Sequence, residues 1–237
     1  MDVGKSIGYV FEDKKWTNKL LIGMLVSIVP IINFALLGWV SDIMRNVSRR
    51  QALPLPEWDD FGDKFVKGAS LFGAALIYAL PALLLFGPLV FLPFTHGDFG
   101  HTGRQAFTAM FVGTTLTFMC FVALYGLLLS FLMPAIYLNF SRKGTFAACF
   151  EFGEIWRILS HNLGDYIVAW IVSITIGIGV SFMMGLAAAM LAIIPCFGWI
   201  AAWVLVGATG VWILAVSGHL FGQIDVGPSE QALISGA

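Results

Sequence analysis

Charge is what this sequence has least of. Only 11% of its 237 residues are Asp, Glu, Lys or Arg, against roughly 25% in soluble domains. The net charge is −1, so no general basic field exists to hold nucleic acid. Cysteine is nearly absent as well. Cys120, Cys149 and Cys196 are too few and too far apart for a disulfide framework or a zinc spacing. They read as buried, inert thiols in apolar surroundings. A cleavable leader is not expected, because Glu12 and Asp13 precede the first apolar run and no A-x-A-like site follows it. No nucleophile elbow, paired carboxylate or HExxH occurs. The sequence therefore predicts a protein that is not an enzyme.

What is abundant is apolar sequence. Hydrophobic residues make up 59% of the chain, and mean hydropathy is +0.87. A single core cannot hide that much apolar surface in a chain this small, so lipid must be its solvent. The expected class is all-α: a polytopic helical membrane protein with four to five spanning helices. One helical membrane domain is expected over 1–222, with a polar tail over 223–237.

The first apolar run, Leu20 to Val40, is uncharged and carries Pro30 at its midpoint. Proline lacks an amide proton and breaks or kinks a helix, and Asn33 is placed to cap a new one. The run can be one kinked span or a re-entrant hairpin of two short helices. Counts of Lys and Arg bear on the choice. Residues 1–19 hold four, 41–67 five, 95–105 one and 141–165 three. A hairpin puts 4 + 5 + 3 = 12 on the cytoplasmic side against one outside, whereas a span gives 8 against 5. The positive-inside rule favours the hairpin. Both termini are then cytoplasmic in a multi-pass protein of the cell inner membrane.

Further along, Pro54 and Pro56 introduce a surface loop that leads into a short amphipathic helix near 57–67. The next span is expected from Gly68, kinked at Pro81 and ending near Pro88 or Pro93. A polar loop over 95–105 precedes a span over 106–133, with Pro134 bending its exit. Phe152, Ile155, Trp156 and Leu159 recur at i, i+3, i+4, i+7, which predicts a second amphipathic helix, interfacial like the first. Two more spans, 166–194 and 198–222, are joined at 195–197.

Several of these residues together carry a family resemblance. Asp13-Lys14-Lys15-Trp16, Lys19-Leu20-Leu21-Ile22-Gly23, Pro30, Leu37-Gly38-Trp39 and Arg45-Asn46-Val47 belong to it. So do Leu55-Pro56-Glu57-Trp58-Asp59-Asp60 with Gly68, and Gly218-His219-Leu220-Phe221-Gly222-Gln223. The chain resembles domain-of-unknown-function family 4013, a family of prokaryotic integral membrane proteins. The resemblance implies a helical membrane fold and no particular activity.

Candidate sites are few. His96, Asp98 and His101 could ligate a metal, but they lie in a glycine-rich loop with no fourth ligand evident. His219, flanked by Gly218 and Gly222, suits a hydrogen bond between helices, with haem or a pigment as the alternative ligand. No cofactor is expected otherwise. Glu57, Trp58, Asp59 and Asp60 form an acidic-aromatic segment that could bind a basic partner, or pair with Arg45, Arg49 or Arg50. Ser181, Gly185, Gly218 and Gly222 permit close helix packing. Thr114, Thr115, Thr117, Ser173, Thr175 and Ser181 are expected to hydrogen-bond between helices. No Asp, Glu, Lys or Arg lies inside an apolar run, which argues against a proton-driven carrier. The expected partners are the bilayer and a membrane protein or second copy. The leading function is a scaffold, assembly or accessory subunit of a membrane complex, and the alternative is a permease or channel-like protein for a neutral or lipidic solute.

Overall fold

The computed structural model describes residues 1–91 and 101–224, side chains over 85–110 excepted. It is all-helical over those residues: α1 (Val3–Glu12), α2 (Trp16–Ile28), α3 (Phe34–Ser48), α4 (Phe61–Phe91), α5 (His101–Lys143), a 3-10 turn (Phe146–Phe150), α6 (Phe152–His161), α7 (Leu163–Leu191) and α8 (Phe197–Gly222). Among the described residues, four stretches are long and apolar enough to cross a bilayer: Phe61–Leu84, Phe111–Lys143, Leu163–Leu191 and Phe197–Gly222. The chain divides into two compact units, Met1–Phe72 with Pro134–Ala237, and Gly73–Met133.

Helix α8 organises the first unit, and α1, α2, α3 and α7 all pack on it. Contacts along α8 give the direction of each neighbour. Asp2, Ser6 and Tyr9 meet Gln223, His219 and Ala215, so α1 runs antiparallel to it. Gly23 lies against Val211, and Met24 against Gly207, so α2 does the same. Gly218 faces Val40 and Ile43, while Gly222 faces Val47 and Met44, so α3 runs parallel to α8. Helices α2 and α3 are therefore antiparallel to each other and form a helical hairpin. By rise per residue they are about 20 and 22 Å long, short of the ~30 Å hydrocarbon core.

The tip of this hairpin is irregular. α2 stops at Ile28, and Ile31 has φ of 75°, a left-handed conformation that costs a β-branched residue roughly 1–3 kcal/mol. Asn33 does not cap α3 with its side chain. It sits in helical conformation, and the first amides of α3 reach back to the carbonyls of Ile31, Ile32 and Asn33 instead. At the far end, Arg50 (φ 55°) takes the left-handed position that usually goes to glycine. The amide of Arg50 bonds Val47, and that of Gln51 bonds Asn46, closing the helix with two of its orphan carbonyls satisfied.

Several boundaries differ from expectation. Residues 61–67 are not a separate amphipathic helix but the first turns of α4. The end of α4 agrees with expectation: it runs on past Pro81 to Phe91, between Pro88 and Pro93. α5 begins at His101, inside the expected polar loop, and continues through Pro134 to Lys143. At Pro81, Pro88 and Pro134 the proline removes one hydrogen bond, and the remaining helical bonds carry the element across it.

In the first unit, α3 and α4 cross at a distance only glycine allows. A Cβ on Gly38 would lie 1.9 Å from the carbonyl oxygen of Lys64, and one on Gly68 would lie 1.6 Å from that of Phe34. Phe34 stacks on Phe72 beside this crossing, with ring centroids 4.5 Å apart. In the second unit, Tyr125 Oη donates to the carbonyl of Tyr78 at 2.6 Å, tying α5 to α4.

Candidate functional site

The densest polar construction lies at the open end of the hairpin. Lys19 is buried, with its side chain only 5% exposed. Its Nζ donates to Asp13 Oδ2 at 2.6 Å and to the carbonyl of Leu55 at 2.8 Å, and lies 3.3 Å from Glu57. Lys15 approaches Glu57 at 3.5 Å. The start of α2 is thus bound to the segment that follows α3, and the two ends of the hairpin are held together. A buried lysine needs this full set of acceptors, because an unpaired charge away from water is costly.

Indoles complete the clamp. Trp39 is fully buried and stacks on Trp58 at 5.5 Å, with planes 6° apart. Trp39 Nε1 donates to the carbonyl of Pro56, Trp58 Nε1 to that of Lys19, and Asn46 Nδ2 to that of Pro54. The carbonyls of residues 54, 55 and 56 therefore each receive a side-chain donor. Pro54 and Pro56 themselves have no amide to satisfy, so the segment can lie against the helices without a sheet or helix of its own.

Asp13 has two opposing influences on its proton. Burial raises its pKa, but the Lys19 hydrogen bond, the backbone amide of Lys15 and the two ammonium charges together hold it below the ordinary carboxylate range.

A second cluster centres on Asp42. Its Oδ1 accepts from Lys67 at 2.8 Å and forms an ion pair with Arg45 at 2.9 Å, while Lys64 lies 4.0 Å from Oδ2. Lys67 also pairs with Asp63, and Lys64 stands 3.9 Å from Asp59. Glu57, Asp59 and Asp63 thus find lysines, not Arg49 or Arg50, and Asp60 accepts from the backbone amide of Asp63. Arg45 is taken by Asp42 three residues before it on α3, and Lys64 and Lys67 share a helix face with Asp60 and Asp63. Of the four residues singled out as partner-binding, Trp58 turns inward, whereas Glu57, Asp59 and Asp60 remain exposed.

His219 belongs to a third group, which fastens α1 to the end of α8. Its ring stacks on Tyr9 at 4.2 Å, and Nδ1 lies 2.8 Å from Ser6 Oγ and 3.0 Å from Gln223 Nε2. Gln223 Oε1 accepts from the amide of Asp2 at 2.7 Å, which fixes its Nε2 as a donor and His219 Nδ1 as an acceptor. Tyr9 Oη donates to the carbonyl of Ala215, and burial pushes its hydroxyl well above the usual phenol range.

The remaining positions divide by surroundings. Gly218 and Gly222 lie in the tight α3–α8 contact, where added Cβ atoms would meet Val40 at 3.2 Å and Val47 at 2.8 Å. Ser181 and Gly185 lie exposed on α7. Thr115, Thr117 and Thr175 do not bridge helices; each bonds the carbonyl four residues earlier in its own helix, as hydroxyls in helices do where no neighbour offers an acceptor. Cys149 is buried, and burial pushes its thiol up to about 11, so it is inert. Cys120, on α5, and Cys196, in the turn before α8, are exposed rather than buried, because the apolar residues around them form outer surface. His96 and Asp98 lie outside the described residues, as does the side chain of His101.

Composition did not disclose the roles of Lys19, Asp42, Lys64 and Trp39. Their partners are far away in sequence, and the available signals were only a lysine just inside an apolar run and tryptophans on either side of a two-proline segment.

A family described as protein of unknown function DUF4013 matches residues 21–189, which takes in the hairpin, the 54–60 segment and α4 to α7. No curated protein and no solved structure matches the chain.

Proposed function

We propose that this chain, which belongs to the DUF4013 family, is an integral membrane subunit that acts by association, as a scaffold, assembly factor or accessory component of a larger complex. The observation that carries this reading is the contrast in how its polar and apolar groups are used. The charges of the hairpin base are engaged with one another, whereas the spanning stretches bury no residue over 111–133 or 170–191. Long apolar faces are thereby left to lipid and to other membrane helices. In this reading the chain is neither an enzyme nor a cofactor carrier, and His219 serves to hold α1.

The hairpin of α2 and α3 is re-entrant. It enters from the cytoplasmic side and returns there, with its tip inside the bilayer and its base closed by Lys19. Thirteen Lys and Arg less Arg104 leaves twelve, all within 1–67 or 142–157. That asymmetry puts the hairpin base and both termini in the cytoplasm, in an inner-membrane protein.

A second reading has one observation in its favour. The helix is interrupted between Ile28 and Phe34, as discontinuous helices are at the substrate sites of transporters, so the chain could pass a neutral or lipidic solute. Purification from native membranes in mild detergent, with the intact mass read by native mass spectrometry, separates the two. Association predicts one fixed-stoichiometry assembly. A chain that runs alone and supports solute flux in proteoliposomes would replace it with the permease reading.

A further inference from the structure

Helix α6 carries more apolar surface than the protein itself uses. At 100° per residue, Ile155, Ile158 and Leu159 occupy one arc, and all three are buried in the first unit. Phe152 and Trp156 fall on the next 40° of the same helix, yet they are 67% and 70% exposed. The polar arc, with Glu154, Arg157 and His161, lies beyond them. The sequence pattern merges the two apolar arcs into one stripe; the structure separates an inward face from an outward aromatic edge. Just before α6, Phe146 is also exposed. Just after it, exposed apolar surface resumes at Leu163 and continues as Ile167, Val168 and Ile171 along the spanning helix α7.

We infer that α6 is a membrane-surface anchor, with Phe152 and Trp156 seated in the headgroup and upper acyl region of the bilayer that α7 crosses. Three observations select lipid as the occupant. The aromatic edge is continuous in sequence with the lipid-facing surface of α7. Tryptophan and phenylalanine at the border between a buried and a polar arc are suited to the interface, where one side of the ring is apolar and the other wet. The nearby charges pair within the chain, Glu154 with Arg157 and Glu151 with Lys143, and little net charge remains to recruit a charged partner. Anchoring is therefore driven by aromatic burial and does not need anionic lipid.

The test uses spin labels at Phe152→Cys, Trp156→Cys and His161→Cys in the full-length chain, with Cys120, Cys149 and Cys196 replaced. The chain is placed in nanodiscs of zwitterionic lipid, with Ile178→Cys on α7 as the lipid reference. Labels at 152 and 156 are expected to collide with oxygen several-fold more than with a water-soluble nickel complex, while the label at 161 shows the reverse. The ratio at 152 and 156 should not change when a third of the lipid is anionic. Nickel-dominated collisions at 152 and 156 would overturn the anchor. Exclusion of both agents there would also overturn it, since the edge would then be covered by protein. An increase in oxygen preference only with anionic lipid would refute the aromatic mechanism. Substitutions at these exposed positions leave the buried arc intact, and bromolipid quenching of Trp156 in the native-cysteine chain, read against Trp156→Phe, repeats the measurement without labels.

Discussion

The two halves of α8 are made of the same kinds of residue and meet different solvents. From Phe197 to Val206, Phe197, Trp199, Ile200, Trp203 and Val206 all face outward. From Val211 onward, Val211, Ala215, Val216, Leu220 and Phe221 are buried. Both halves are apolar all round, as expected of a helix surrounded by lipid or by protein. In the second half protein surrounds it: α1, α3 and the start of α7 pack there, with Tyr166 against Phe221. The first half is covered on one side only, where Gly198 meets the end of α7 at Leu191, and its other side is exposed. The chain thus combines a packed head, held by buried ion pairs and indoles, with spans whose apolar faces are left to the bilayer. Burial in protein demands shape and paired charges; exposure to lipid demands only that side chains be apolar.

That contrast predicts unequal tolerance to substitution. The largest effect is expected at the α3–α4 crossing. Any side chain at Gly38 or Gly68 lands on a backbone carbonyl, so Gly38→Leu or Gly68→Leu should cost upwards of ~4 kcal/mol and abolish the monodisperse peak in detergent size exclusion. Retention of that peak would show that the helices can part there without loss of the head.

Next is the buried pair. Lys19→Ala leaves Asp13 without its main partner and should cost about 3–5 kcal/mol, read as a lower unfolding midpoint in detergent. Lys19→Met combined with Asp13→Asn removes both charges and should recover most of the loss. The pair also gives a pH dependence. The folded pKa of Asp13 lies below its unfolded value, about 3.9 for a free Asp. Its contribution is therefore complete above about pH 4 and disappears as pH falls through the lowered folded value. In Asp13→Asn this part of the acid-induced destabilisation should be missing.

A smaller effect, but a sharper comparison, comes from α8 itself. Leu220→Ala in the head should cost about 2–5 kcal/mol, the usual range for a buried leucine. Ile200→Ala, on the exposed half, should change the midpoint by less than about 0.5 kcal/mol. Equal losses at the two positions would mean that the outward half is packed against protein in the membrane. Such a result would also locate the association surface.

The sequence made part of this legible. Pro30 marks the break in the first apolar run because proline acts locally, and the spans announce themselves by length. The head was not legible, because its contacts join residues far apart. Lys19 reads as a flanking charge until Leu55 and Glu57 are folded against it. Gly38 and Gly68 read as unremarkable glycines in helices until each meets the other helix's backbone. Arg50 takes a left-handed position that no propensity assigns to arginine. The acids of 57–63 looked ready for Arg49 and Arg50, but the lysines of α2 and α4 reach Glu57, Asp59 and Asp63 first. Within α8, composition cannot distinguish protein from lipid, since both are apolar.

The hairpin and its sidedness remain the centre of the account. A single cysteine at Lys5, an exposed position on α1, in a chain without Cys120, Cys149 and Cys196, can be probed with an impermeant thiol reagent. Protection in whole cells, with full labelling after permeabilisation, is the expected result. Labelling in intact cells would place α1 outside and make the first apolar run a span.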